Sequence, residues 1–264
     1  MTLALPPLPP LYQWTAPPAW RTIDFISDLH LSEALPRTAQ AWREHLLHTP
    51  ADAVLILGDL FEFWVGDDQR QRPFERLCIE TLAEAASRRT VGFMPGNRDF
   101  LVGDAVRREA GLVALPDPTL LQCCGRSLLL THGDVLCLAD EDYQRFRRQA
   151  RSAEWQRGFL AQPLAERLAQ ARAARESSQA RKQATGFDPE LWADVDAAAA
   201  VAWMHATGAA DLVHGHTHRP GDELLAPGRE RHVLSDWDLD QGTRAEVLRL
   251  TRDGLQRVPP ATAP

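Results

Sequence analysis

Hydrophobic and polar positions divide this chain into two kinds of segment. Short apolar, β-branched or aromatic runs recur at Ile23–Ile26, Ala53–Leu57, Val91–Met94, Ser127–Leu130 and Asp211–Val213, with shorter ones near Thr119–Cys123, His232–Leu234 and Ala245–Leu250. Amphipathic stretches at Ala39–His48, Phe74–Ser87 and Ala197–Thr207 separate several of them. Strands and helices that alternate early, with short strands gathering late, predict an α/β layered architecture. No internal repeat is present.

From about Leu138 to about Ala206 the rhythm changes and the pattern predicts helix almost throughout. Leu160, Leu164 and Leu168 recur at helical spacing, as do Tyr143, Phe146 and Ala150, and Trp155 with Phe159. Between Arg145 and Lys182 stand ten basic and three acidic residues, a local +7 in a chain whose net charge is −7. Such a run is either a solvated helical face or a surface for an anionic partner, and here basic and apolar stripes share one segment. Residues 1–20 carry six prolines and read as an extended, poorly ordered leader rather than a secretory signal.

At 264 residues and 44% hydrophobic, the chain is long enough to bury a full core. Its negative charge argues against general nucleic-acid binding, and it has no apolar run long enough to span a bilayer. Cys78, Cys123, Cys124 and Cys137 show no metal-ligand spacing. Adjacent Cys123 and Cys124 read as small hydrophobes on a strand, which suits a reducing cytosol.

Five short motifs follow apolar runs: SDLH (Ser27–His30), GDLFEFWVGDD (Gly58–Asp68), GNRDF (Gly96–Phe100), HGD (His132–Asp134) and HGHTH (His214–His218). In α/β sheets, ligands bind just beyond the carboxyl ends of strands, where all five fall. Their Asp, Asn and His side chains are oxygen and imidazole donors without a thiolate, which suits two divalent cations such as Mn, Mg or Fe. Two adjacent cations clamp a phosphoryl group and generate a hydroxide between them. Singly each motif is weak, because Gly-Asp and Gly-Asn pairs usually just make turns. Five in this order are similar to the signature of the calcineurin-like metallophosphoesterases, D-x-H, GD, GN[HR][DE], H and GHTH, over most of residues 22–219.

That resemblance implies a four-layer αββα sandwich with an inserted helical lid. The expected division is a leader at 1–20, a core at 21–137 and 207–257, a lid at 138–206 and a tail at 258–264. It also implies that Asp28, His30, Asp59 and His218 hold one metal and Asp59, Asn97, His132 and His216 the other, with Asp59 bridging and Mn(2+) the expected ion. His214, two residues before His216, reads as a residue that orients a ligand. Many members have GNH where this chain has Arg98. An arginine is no acid at neutral pH but grips phosphate in bidentate fashion. A phosphate monoester leaves without needing a proton, its second pKa being about 6, so Arg98 favours a pyrophosphate substrate.

Longer strings, FEFWVGDD, PGNRDFLVG, HGDVLCLADEDYQRFRR and VHGHTHRP, resemble one family of lipid A pathway diphosphatases of Gram-negative bacteria. That resemblance implies attack by a metal-bound hydroxide on the α-phosphorus of UDP-2,3-diacylglucosamine, giving UMP and 2,3-diacylglucosamine 1-phosphate. It implies catalytic roles for Asp59, Asn97, Arg98 and His216, and substrate contacts from Asn97, Arg98, Asp140, Ser178, Lys182 and His216. The family's final lid lysine is missing here, where Thr185 stands, and counting back from HGHTH shifts the contacts to about 184–189. Phe61, Phe63 and Trp64 read as packing, and Asp67 and Asp68 as turn or supporting residues. The expected setting is the cytoplasmic face of the inner membrane, held peripherally on its anionic surface, with no nucleic acid and no obligate protein partner. Two other readings remain, a soluble metallophosphoesterase acting on another nucleotide pyrophosphate or phosphodiester, and a binding scaffold that has lost catalysis.

Overall fold

A computed structural model describes residues 6–184 and 193–263, apart from the side chains of Ser178, Gln179 and residues 181–184. Along the chain run β1 (Tyr12–Thr15), β2 (Ile23–Ile26), α1 (Pro36–His48), β3 (Ala53–Leu57), α2 (Pro73–Ala86), β4 (Thr90–Met94), α3 (Asp104–Glu109), β5 (Val113–Ala114), β6 (Thr119–Cys123) and β7 (Arg126–Leu130). Then come α4 (Glu141–Ala150), α5 (Ala153–Leu160), α6 (Leu164–Ala184), α7 (Ala197–Thr207), β8 (Asp211–His214), β9 (Gly221–Ala226), β10 (Arg229–Val233), β11 (Val247–Thr251) and β12 (Gly254–Val258). The strands form two sheets, ordered β1-β6-β7-β8-β10-β9 and β12-β11-β2-β3-β4-β5.

The apolar runs are continuous because their strands are covered on both faces. In β2 and β3, Ile23, Phe25, Leu55 and Leu57 point between the sheets, where they meet Leu121, Leu128, Leu130 and Val213 of the first sheet. Ile26, Val54 and Ile56 point outward onto Trp42 of α1 and Ile79 and Leu82 of α2. On the far side of the first sheet, Leu129 and Leu212 pack against Ala199, Ala200, Trp203 and Met204 of α7. The four layers are therefore helix, sheet, sheet, helix.

Three details differ from the sequence reading. Residues 12–15 of the proline-rich leader form β1, parallel to β6. Trp203 Nε1 donates to the Pro6 carbonyl at 3.1 Å, and Leu8 and Leu11 pack against the α7 cluster. Proline excludes helix, but the edge of a sheet admits it. Helix α7, counted with the insertion on its helical period, is the outer layer of the first sheet, because alanine and tryptophan bury against strands. The short strands that gather late in the sequence do not form a group in one sheet but extend both: β9 and β10 join the first, β11 and β12 the second.

Parallel β2, β3 and β4 in one sheet and β7 and β8 in the other all end at one edge of the sandwich, which is where the five motifs begin. At the outer face of the second sheet, buried Asp24 accepts from Arg249 Nε and Nη2 at 2.7 and 2.8 Å, and lies 3.5 Å from His45 Nε2. His45 Nδ1 in turn accepts from the Ala261 amide at 3.1 Å, which ties the C-terminal residues to α1.

Burial pushes the His45 imidazole down to about 4 despite the attraction of Asp24, and Arg249 and Arg89 push the same way. The unfolded chain takes up this proton near pH 6.5. Stability present above pH 6.5 is therefore lost as pH falls toward 4, by about 3 kcal/mol from this group alone. Denaturant titrations of metal-free protein at about pH 7 and about pH 4.5 should show His45→Gln losing less stability than the parent. Equal losses would place the acid sensitivity elsewhere.

Candidate metal centre

The backbone at the sandwich edge is unusual. Asp28, His30, Asp59, His216 and His218 have left-handed φ of 53°, 48°, 52°, 69° and 54°. Each such non-glycine residue costs about 1–2 kcal/mol and persists only where its surroundings hold it. The holding bonds run between loops: Asp28 N to Gly58 O at 3.1 Å, His30 N to Asp59 O at 3.0 Å, and Trp237 N to Asp28 O at 3.1 Å. The motif glycines allow the loops to close on one another. A Cβ on Gly96 would stand 2.1 Å from Asp59 Oδ1, and one on Gly215 would stand 2.2 Å from Asp28 Oδ2.

Two donor clusters result, Asp28 with His30 and His218, and Asp59 with His132 and His216, each with donor atoms within 4.8 Å of one another. In the first, the His30 and His218 Nε2 atoms face each other at 3.2 Å, and His218 Nε2 lies 3.5 Å from Asp28 Oδ1. In the second, Asn97 Oδ1 stands 3.0 Å from His132 Nε2 and 2.8 Å from His216 Nδ1, while His132 Nε2 is 3.6 Å from Asp59 Oδ1.

These residues fit divalent cations. Asp28 Oδ1 is buried with no hydrogen-bond partner, although Oδ2 accepts from the Ser27 hydroxyl and the His216 amide. His132 Nδ1 lies 2.9 Å from the Leu57 carbonyl, so it donates there and Nε2 is the atom turned to the cluster. Burial pushes His216 down to about 3, with the His132 charge adding to it, and burial and the His218 charge hold His30 well below its ordinary value. Both imidazoles are neutral at pH 7, with lone pairs for a cation. Burial and the Asp28 charge raise Asp59, against the attraction of His132. Hard oxygen and imidazole donors that repel or face one another in this way suit a cation between them.

Supporting residues that the sequence reading missed stand beside the ligands within the same motifs. Asp99 of GNRDF is fully buried and accepts from the amides of Leu60 and Gly96 at 2.8 Å each and from Asp59 and Phe61 at 3.3 Å, fastening the GD loop to the GN loop. Asp134 of HGD, also buried, accepts from the Tyr143 hydroxyl at 2.5 Å and Arg147 Nε at 2.8 Å, fixing α4. The Tyr143 ring lies 5.7 Å from that of His216. Arg151 donates to the Gly96 carbonyl at 2.9 Å and lies over the Phe100 ring. The signal available was a carboxylate that recurs one or two residues from a ligand.

The remaining sequence-picked residues divide. The Arg98 amide donates to Asp59 Oδ1 at 2.8 Å, and its guanidinium stands at the rim, 4.0 Å from Glu62 Oε1. Asp140 is exposed, caps α4 by accepting from the Tyr143 amide at 3.0 Å, and is a member of neither cluster. Ser178 and Lys182 lie on α6 with side chains outside the described residues, as do the contacts counted at 185–189. His214 is buried, joins neither cluster, and has Nδ1 at 2.8 Å from the Gly215 carbonyl. Phe61 and Trp64 are buried in packing. Asp67 accepts from the Gly103 and Ala105 amides at the start of α3, and Asp68 pairs with Arg167 of α6. The basic run is thus partly anchored to the core through Arg147, Arg151, Arg167 and Arg175, while Arg148, Arg157 and Arg172 are exposed together with Phe146 and Leu160.

The family model for calcineurin-like phosphoesterase matches residues 21–220. A UDP-2,3-diacylglucosamine hydrolase of Xanthomonas axonopodis pv. citri (strain 306) is 45% identical over 239 residues, covering 87% of this chain and 95% of that protein. A protein of the same name from Chromobacterium violaceum is 41% identical over 244 residues, covering 90% and 98%.

Asp134→Asn should loosen α4 by removing the charge that Tyr143 and Arg147 share, at a cost of about 2 kcal/mol. Trypsin should then cut within 141–151 faster while bound metal stays at the parent level; unchanged protection would show that α4 is held by its apolar contacts.

Proposed function

The chain belongs to the calcineurin-like phosphoesterase family, and from that membership we propose that it hydrolyses the pyrophosphate bond of UDP-2,3-diacylglucosamine. The products are UMP and 2,3-diacylglucosamine 1-phosphate, an intermediate of lipid A synthesis. The observation that carries this reading is the pair of adjacent donor clusters at the strand ends with Arg98 on their rim, in a chain 45% identical to a hydrolase named for that substrate.

In this reading Asp28, His30, Asp59 and His218 hold one divalent cation, and Asp59, Asn97, His132 and His216 the other, with Mn(2+) as the metal. Such a cation pair supplies Lewis-acid neutralisation of phosphoryl charge and lowers the pKa of water for in-line attack. Asn97 Oδ1, 3.0 Å from His132 Nε2 and 2.8 Å from His216 Nδ1, would converge with those two nitrogens on the second cation. Arg98 carries a permanent charge and grips a substrate phosphate with two parallel N–H donors. It transfers no proton, and none is needed, because the leaving group is a sugar phosphate rather than an alkoxide.

Helices α4 to α6 act as the lid. Asp140, Ser178 and Lys182 contact the substrate from it. Phe146 is 50% and Leu160 42% exposed, and Arg148 and Arg157 of the same two helices are exposed as well. Exposed apolar and basic groups in one helical segment suit acyl chains and the anionic face of the inner membrane, to which the enzyme attaches peripherally.

Purified protein incubated with UDP-2,3-diacylglucosamine should release UMP; EDTA should abolish the release and Mn(2+) restore it. Hydrolysis of a chromogenic phosphodiester without UMP release would keep the phosphoesterase chemistry and discard the lipid substrate. Asp59→Ala should lower kcat by at least about 10³-fold, since it removes a donor from both cation sites. Arg98→Ala should lower kcat/KM for the lipid substrate about 10²-fold with metal content unchanged; loss of metal would give Arg98 a different role.

A further inference from the structure

Glu62 is the only acidic residue between the metal-site Asp59 and Asp67, and it is flanked by two aromatics. Phe61, just before it, pairs with Leu31 in an isolated bridge, and the Glu62 amide donates to the Leu31 carbonyl at 3.2 Å. This pairing carries the loop after β3 alongside the loop after β2 and places the Glu62 carboxylate behind His30. The residue is 7% exposed, a costly place for a carboxylate without partners.

Its two oxygens face different elements. Oε2 lies 3.9 Å from His30 Nδ1, the nitrogen turned away from the donor cluster, which is buried and has no hydrogen-bond partner. Oε1 lies 4.0 Å from Arg98 Nη1 and in ion-pair contact with Arg175 Nη1, halfway along α6. One carboxylate therefore touches a cation-site histidine, the guanidinium at the rim and the longest helix of the insertion.

We propose that Glu62 is a positioning residue that couples the seating of α6 to the first cation site. By closing the present 3.9 Å gap to accept from His30 Nδ1–H, it would fix the tautomer with Nε2 bare toward the cluster, as carboxylates behind metal-bound histidines do. By pairing with Arg175 it makes that orientation depend on α6 being in place. When α6 lifts, Glu62 loses a cationic partner and turns toward Arg98, and His30 loses the acceptor behind it. The inference rests on the two-cation reading of the site and requires no particular substrate.

The test is a calorimetric titration of metal-free protein with Mn(2+) in parallel with limited trypsinolysis of α6. Glu62→Ala should weaken one of the two binding steps about 10–100-fold, leave the other unchanged, and speed cleavage within 164–184. Glu62→Gln keeps an acceptor for His30 but no charge for Arg175, so it should recover most of the affinity while cleavage stays fast. Arg175→Met should also speed cleavage and weaken the same binding step by several-fold, since it leaves Glu62 in place without its anchor. Unchanged affinity in Glu62→Ala overturns the proposal. So does equal weakening of both steps accompanied by early melting, which would mark a purely structural residue. Fast cleavage with normal affinity in Arg175→Met would make the two contacts independent and overturn the coupling. A parent protein that binds no Mn(2+) would instead overturn the cation reading itself.

Discussion

Asp28 and Asp59 are buried carboxylates whose charges oppose one another at the end of the sandwich, and the rest of the site is built to hold them there. Their backbones, and those of three histidines beside them, are left-handed, so local conformation opposes the arrangement as well. What overcomes both is the apolar layer between the sheets. It fixes β2, β3, β7 and β8 so closely that the loops leaving them must hydrogen-bond to one another. Asp99 adds four amide contacts at the junction of two of these loops, and burial together with the Asp59 charge pushes its own carboxyl up to about 7. Bound divalent cations would relieve the repulsion that folding creates, which is how a fold can store affinity for metal.

The helical insertion is fastened to this edge by charge rather than by apolar area alone. Asp134 holds α4 through Tyr143 and Arg147, the Gly96 carbonyl holds Arg151, Asp68 and the Val65 carbonyl hold Arg167, and Glu62 holds Arg175. Each acceptor stands in or next to a loop that carries a cation-site residue. Trp155 stacks on Phe159 at 4.7 Å, and together with Leu164 and Leu168 they pack onto the cluster beneath. Order in the insertion and order in the metal centre thus draw on the same residues. The basic run of the sequence splits by destination, with one part paired against the core and the other left on the surface.

Arg98 links this architecture to the choice of reaction. It occupies the position from which a family member with histidine could protonate a leaving alkoxide, and a guanidinium offers two phosphate-directed donors instead. In the proposed reaction, a guanidinium rather than an acid at this position would suit cleavage between two phosphoryl groups. Burial and the Asp134 charge push the Tyr143 phenol far above its ordinary value, which keeps its proton on the bond to Asp134.

The sequence alone determined the layered α/β class, most strands, and every donor of the two clusters. These features are local: an apolar run followed closely by a donor side chain, beside a glycine in four of the five motifs, repeated in order. The tertiary structure decided the contacts that join distant segments. Proline at 6–18 hid β1 because its sheet partner β6 lies more than a hundred residues away. The helical period of 197–207 could not say that α7 faces a sheet rather than the insertion. Asp99, Asp134 and Glu62 sat inside recognised motifs, yet their roles depend on amides, a phenol, a histidine and guanidiniums that only the fold brings to them. Donor identity is written in side-chain chemistry and short spacing, whereas donor orientation is a property of packing.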